Sequence, residues 1–397
     1  MDFKTCIVTG QYPPQLGGVG HSAYRVANML ADRGVDVQVV NFIKHSEPLP
    51  FDESYTSIQE GNILVHRVKV YNASLAGHPG ASESSVLTRY NREMFDALSY
   101  FQQQYNYDIM HAFFLYPAGY IAGQVGKLHG TKVMASIRGN DVGKYIFDPI
   151  RMPFIKAALE NADYITSVAT NLIELADRAI TPISHKAKTI LNSINFKRLE
   201  PQKRPALDLN GLVIGSMGLF RYKKGVVYLC KALGELKDKY DFTLLLAGDY
   251  FKEEDREPHL QYFKENGLAD RTIVTGKVPH TEIADYLQLF DIMVFPSLFS
   301  EGCPLSMMEG MAMGKAVIGS STGAIPEIIR DRENGILVPP GSSQHLVDAI
   351  TELIENPKLR QQLAANAALT ANDLSQEREF DKWMKAYEML LEDRVLV

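Results

Sequence analysis

The sequence is poor in cysteine. Its 397 residues include three, Cys6, Cys230 and Cys303, no two of them close together. That spacing excludes a CxxC metal site and a disulfide framework. The thiols read as reduced, which gives the expectation of a cytoplasmic protein. No run of about 18 uninterrupted apolar residues occurs, so no spanning helix is expected. The opening MDFKTCIVTGQYPP lacks the basic head and apolar core of a signal peptide. A surplus of cations is missing too: 41 Lys and Arg face 47 Asp and Glu, for a net charge of −6. Residues 1–196 are balanced at 17 of each, and residues 197–397 hold 24 against 30. Bulk charge of this sign argues weakly against both nucleic acid and an anionic membrane as partners. No Gly-x-x-x-x-Gly-Lys-Ser/Thr run exists, which removes a P-loop.

What is present is ordinary globular composition, 46% hydrophobic and 22% charged, in a chain long enough for two or three domains. Apolar runs at Thr5–Thr9, Val35–Phe42, Asp108–Ala112, Lys132–Ile137 and Tyr164–Val168 read as strands, with helical spacing between them, as in His21–Arg33. A second cycle starts at Gly211–Met217 and runs through Phe242–Ala247, Arg271–Thr275, Ile292–Phe295 and Ala316–Gly319. Phe196–Asn210, with two prolines and many charges, is a linker candidate. Such alternation predicts an α/β protein of two similar βαβ domains, each a parallel sheet covered on both faces. Near the end, Phe380, Trp383, Met384, Tyr387, Leu390 and Leu391 share one helical face. That stripe must be buried, either on its own domain or on the first. Residues 72–88 are small and polar and read as a functional surface loop.

Three segments could carry chemistry. Gly17-Gly18-Val19-Gly20 lies between the first strand and first helix, where glycine allows a backbone to approach an anion and a helix start offers free N–H groups; the alternative is a plain turn. Gly218–Gly225 follows the first strand of the second cycle and gathers Arg221, Lys223 and Lys224, suited to a phosphate or diphosphate, or else a solvated basic turn. Residues 300–310, SEGCPLSMMEG, place Glu301 in a loop and Glu309 in the helix that Pro304 can start. Open amides at Pro304–Ser306 and two carboxylates can converge on a polyhydroxylated ligand; two surface glutamates are the alternative.

In order and spacing, Tyr12-Pro13-Pro14 through Gly17-Gly18, Gly248-Asp249, Gly276-Lys277-Val278, Asp291…Pro296-Ser297, Glu301 to Glu309, Gly323-Ala324-Ile325-Pro326-Glu327 and Asn334-Gly335-Ile336-Leu337-Val338 together resemble the retaining nucleotide-sugar glycosyltransferases of the GT-B architecture, family four. The resemblance covers essentially the whole chain. It implies a GT-B fold of two Rossmann-like domains facing a central cleft, with the last helix crossing back. The acceptor domain would be 1–196 plus 378–397, and the donor domain 197–377. The implied reaction moves a hexosyl group from a nucleotide-diphosphate sugar to a carbohydrate, lipid-linked or small-molecule acceptor, with retention, as in polysaccharide biosynthesis. No metal or other cofactor is implied, and nothing resembles the Asp-x-Asp metal site of the other large glycosyltransferase architecture. The partners would be the sugar nucleotide and the acceptor, with no nucleic acid and no membrane span, and room for peripheral membrane contact.

By that resemblance, Lys224, Arg221, Glu301 and His111 are the catalytic candidates. Gly17, Gly18, Val278, Pro304, Leu305, Ser306 and Glu309 would bind the donor, with Glu309 on the ribose, Glu301 on the sugar hydroxyls and Val278 at the base. Arg138, Asn140 and Asp141 would face the acceptor. The chain departs from the family pattern at Phe113, where relatives often carry a second histidine, at Leu219, where they often carry arginine, and at Arg138, in a histidine position. A nucleotide-sugar epimerase or hydrolase on the same fold, and a non-catalytic nucleotide-sugar-binding protein, are the competing readings.

Overall fold

The computed structural model describes residues 3–14, 18–72, 83–299 and 302–392. It divides into two compact units, Met1–Leu191 joined by the chain from Glu379 onward, and Asn192–Arg378. The segment read as a linker is tied to the second unit. Ile194 bridges to Ser375 and its amide donates to the Leu374 carbonyl at 2.8 Å. Further on, the amides of Gln202 and Lys203 donate to the buried Asp285 carboxylate at 2.6 and 3.0 Å.

In the first unit, strands β1 (Lys4–Thr9), β2 (Asp36–His45), β3 (Tyr55–Glu60), β4 (Ile63–Tyr71), β5 (Ile109–Phe113), β6 (Lys132–Ile137), β7 (Tyr164–Ser167) and β8 (Ala187–Thr189) form one sheet in the order β3-β4-β2-β1-β5-β6-β7-β8. All neighbours pair in parallel except β3 and β4. That antiparallel hairpin is absent from the sequence reading. Its edge strand YTSIQE is largely exposed and offers little apolar signal. Helices of eight residues or more are α1 (Gly18–Ala31), α2 (Glu83–Tyr105), α3 (Tyr120–His129), α4 (Met152–Asn161) and α5 (Thr170–Ala179). The expected loop 72–88 is corrected at its end, because α2 already begins at Glu83; residues 73–82 lie outside the described ones.

In the second unit, β9 (Leu212–Met217), β10 (Phe242–Ala247), β11 (Thr272–Val274), β12 (Ile292–Phe295), β13 (Ala316–Ser320) and β14 (Ile336–Val338) form a wholly parallel sheet, β11-β10-β9-β12-β13-β14. Around it lie α6 (Val226–Leu236), α7 (Glu253–Glu265), α8 (Leu305–Ala312), α9 (Ser343–Glu355) and α10 (Pro357–Ala371). Local signals fix several helix starts. Asn356 caps α10 by accepting from the Leu359 amide at 3.1 Å, and Pro357 takes the first helical position, where no N–H is needed. The strands are apolar on both faces, as a doubly covered parallel sheet requires.

The last helix, α11 (Gln376–Glu392), enters the first unit from Glu379. Its apolar stripe joins that unit's core: Trp383, Tyr387 and Leu390 pack in one cluster with Ile7, Val39 and Phe113. Glu379, buried beside them, accepts from the Trp383 indole at 3.0 Å and forms an ion pair with Arg25 of α1. Arg33 lies over the Phe380 ring, 4.2 Å from its centroid. Trp383→Ala removes the largest fully buried side chain of the protein. It should destabilise the first unit by about 3–5 kcal/mol, read as a lowered thermal midpoint, while a midpoint within a degree of the parent would contradict this packing.

Candidate functional site

A parallel sheet sends every post-strand loop to one edge. Ligands bind there, where the strand order reverses. In the second unit β9 is followed in space by β10 on one side and β12 on the other. The loops after β9 and β12 therefore flank a switch point. They are stitched together by backbone contacts. The Leu298 amide donates to the Lys223 carbonyl at 2.9 Å, and the Ser306 hydroxyl donates to the Met217 carbonyl at 2.9 Å. Gly225 is left-handed at φ +65°, and a Cβ there would collide with the Pro296 carbonyl oxygen. Glycine is needed at that position both for the backbone angle and for this close approach.

The loop that carries the cations of Gly218–Gly225 is thus joined to the loop ahead of α8 and, through Met217, to Ser306 in its first turn. Arg221 lies with its guanidinium 5.2 Å from the Phe251 ring centroid, and its Nε is buried with no hydrogen-bond partner among the described residues. Leu305 and Ser306 open α8, where helical N–H groups have no intrahelical acceptor. Pro304, just outside the helix, holds extended backbone at φ −73°, ψ 99°, and its carbonyl accepts the first helical bond from Met307 at 3.1 Å. Lys224 sits at the end of a short 3-10 turn in the same loop. One turn into α8, burial raises the Glu309 carboxyl above its ordinary range, and the positive charges of His280 and Arg198 partly offset that effect. Neither of these partners is in the sequence reading. His280 follows Val278-Pro279, and Arg198 lies in the segment read as a solvated linker. Val278 is half-buried between β11 and His280. Nearby, a cavity of about 360 Å³ is lined by Asp249, Tyr250, Arg256 and Thr275–Gly276. Glu301 and Gly17 lie outside the described residues. Among the described residues no three His, Cys, Asp or Glu side chains cluster as metal ligands.

In the first unit, Gly18 begins α1 and Gly20 packs close on Gln11, leaving no room for a side chain without a shift. Arg138, after β6, reaches α1: its Nη2 donates to the Ser22 hydroxyl at 2.6 Å, and its guanidinium lies 5.6 Å from the Phe113 ring centroid. Asn140 is exposed beside it. Asp141 departs from its expected place at the acceptor. It is fully buried and accepts from the backbone amides of Arg138, Gly139 and Val142 at 2.8–3.2 Å. Its carboxylate shapes the turn that presents Arg138.

His111 also departs from expectation. It is fully buried, with Nδ1 2.7 Å from the Tyr387 hydroxyl and Nε2 2.8 Å from the Ser136 hydroxyl. Burial, helped by the charge of Arg138, lowers its pKa from 6.5 to about 3. Both ring nitrogens are engaged, so it ties α11 to the sheet instead of meeting substrate.

Two family models tile this chain. The model for glycosyl transferases group 1 matches residues 197–370, and that for the glycosyl transferase 4-like domain matches residues 17–182. The chain belongs to the group 1 glycosyltransferases. Among curated relatives, the transferase is 25% identical over 362 residues to N-acetyl-alpha-D-glucosaminyl L-malate synthase of Bacillus anthracis, with 89% of each chain covered. Among solved structures it resembles sucrose-phosphate synthase from Thermosynechococcus elongatus, with TM-score 0.76, 21% identity, 98% of this chain and 100% of that one. It also resembles Anabaena HepE in complex with UDP, with TM-score 0.75, 17% identity, 97% of this chain and 100% of that one. The transferase accordingly has the GT-B fold, built from two Rossmann-like halves. No helix among the described residues is long and apolar enough to cross a membrane.

The buried neutral His111 gives a test of its structural role. Its folded pKa lies below the unfolded value, so its stabilising effect is complete above pH 6.5 and is lost as pH falls toward about 3. His111→Gln should remove up to about 1.4 kcal/mol per pH unit from the acid-side slope of unfolding free energy, measured by denaturant melts between pH 4 and 7. An unaltered slope would show that His111 is not the buried neutral group described.

Proposed function

We propose that the transferase moves a hexosyl group, with retention and without a metal, from a uridine-diphosphate sugar to an acceptor hydroxyl. The observation that carries this reading is Arg221: a buried guanidinium Nε without a partner among the described residues, in the loop after β9 at a sheet switch point. A diphosphate supplies the acceptor atoms that such a site lacks. The UDP in the HepE complex favours uridine among the bases.

In this reading Arg221, Lys224 and the amides of Leu305 and Ser306 hold the diphosphate. Glu309 accepts from the ribose hydroxyls, and Val278 borders the base. Glu301 takes the sugar hydroxyls, and Gly17 and Gly18 are candidates for a further diphosphate contact. Arg138 and Asn140 orient the acceptor. The C1–O bond to the diphosphate breaks and the electron pair leaves on the phosphate oxygen, whose new charge the cations stabilise. The acceptor oxygen bonds to C1 on the same face, and its proton passes to the departing phosphate oxygen. His111 and Asp141 take no part in these steps. A cytoplasmic setting goes with three cysteines that form no disulfide.

Titrating a panel of nucleoside diphosphates and their sugars by thermal shift should select one donor. With that donor, Arg221→Ala should lower kcat/KM by about 10²-fold or more. Glu309→Gln should weaken UDP binding by about tenfold. Turnover that yields free sugar or an epimer with no acceptor requirement would sink the transfer reading, and full activity in both variants would sink the site.

A further inference from the structure

The parallel ladder between β9 and β10 continues past the ends of both strands. The Gly218 amide donates to the Ala247 carbonyl at 3.0 Å, and the Phe220 amide donates to the Asp249 carbonyl at 2.7 Å. The Phe251 amide then donates to the Phe220 carbonyl at 2.8 Å. These bonds make a parallel bridge between Phe220 and Tyr250. Gly248 permits it. At φ +148° it lies against the Gly218 carbonyl, where a Cβ would collide.

Extended backbone sends successive side chains to opposite faces. Phe220 and Tyr250 turn inward, with ring centroids 5.9 Å apart, and both belong to the core of the second unit. The next residue on each segment therefore turns to the other face, and Arg221 comes to lie beside Phe251. The guanidinium is 5.2 Å from the ring centroid. Phe251 is 51% exposed, so burial in the core does not account for a ring at this position.

Arg221 is held differently from most arginines of its unit. Arg256, Arg271, Arg330, Arg332 and Arg378 each meet a carboxylate at 2.6–3.7 Å. Arg221 has no ion pair among the described residues, and its buried Nε has no acceptor there. A carboxylate would neutralise the guanidinium and take up its N–H groups. An aromatic face attracts the cation through its quadrupole and supplies no oxygen. It restrains the side chain while charge and donors stay available to an anion. We infer that Phe251 is a positioning residue for the donor diphosphate, holding the Arg221 guanidinium in place without neutralising it. The inference deepens the proposed transfer and rests on the role given there to Arg221.

UDP is the probe, titrated into the full chain by calorimetry. Arg221→Ala should weaken binding by about tenfold or more. Phe251→Ala should weaken it by about threefold to tenfold. Phe251→Leu keeps a large apolar side chain without a π face and should show a similar loss. Phe251→Trp keeps the π face and should bind as the parent does. In the Arg221→Ala background, Phe251→Ala should cost nothing further, which a general loss of packing would not reproduce. Parent affinity in Phe251→Ala or Phe251→Leu would overturn the inference. So would a loss in Phe251→Trp equal to that in Phe251→Leu, or a loss from Phe251→Ala of the same size with and without Arg221. Each of these leaves the donor site standing, whereas parent affinity in Arg221→Ala would overturn the donor reading and the inference together.

Discussion

In the second unit, Arg221, Pro304 and Ser306 come from sequence positions about 80 residues apart and meet because β9 and β12 pair in parallel, Ile214 opposite Ile292. That pairing forces both following loops to the same edge. Without it the Lys223 carbonyl could not receive the Leu298 amide, nor the Met217 carbonyl the Ser306 hydroxyl. The loop contacts in turn hold three cations beside the open turn of α8. The charge cluster is therefore a consequence of strand register. It sits in the more acidic half of the chain, so the local field at the switch point runs against the bulk field of its surroundings.

The same constraint acts in the first unit with a different result. There the sheet edge carries Gly18 and the Arg138 turn, and Arg138 is its charged hydrogen-bond donor, reaching the Ser22 hydroxyl. The polar groups nearest the sheet are turned inward: Asp141 to three amides, His111 to Tyr387 and Ser136. One half therefore presents a cluster of positive charge and helix amides, and the other a single guanidinium over a buried aromatic ring. Two similar scaffolds differ in the chemistry of their loops, as expected when function resides in sites grafted on a common fold.

Much of this was legible in the sequence. The parallel strands announced themselves as short apolar runs, and Pro304 marked the start of a helix through local backbone chemistry. The Trp383 stripe was visible as a face, though the sequence alone left its partner open. What was not legible depended on long-range contact. The burial of His111 is imposed by Tyr387, 276 residues away. The tie between Glu309 and Arg198 depends on where a polar segment lies after folding. The β3–β4 hairpin escaped because its edge strand has almost no buried face. Asp141 is the exception: an Asp just after Gly139-Asn140 at a helix start is a local signal for amide capture, and it could have been read as such.

The position of α11 in the chain has a consequence for biosynthesis. The first unit holds the first 191 residues, yet its core includes Trp383, Tyr387 and Leu390, and its half-buried Arg25 is neutralised by Glu379. On the ribosome these residues emerge after the whole second unit. The second unit, complete at Arg378, has all its strands and helices available before the first unit can finish. The order of completion is thus the reverse of the order of synthesis, and through most of translation the N-terminal sheet must wait with one apolar flank uncovered.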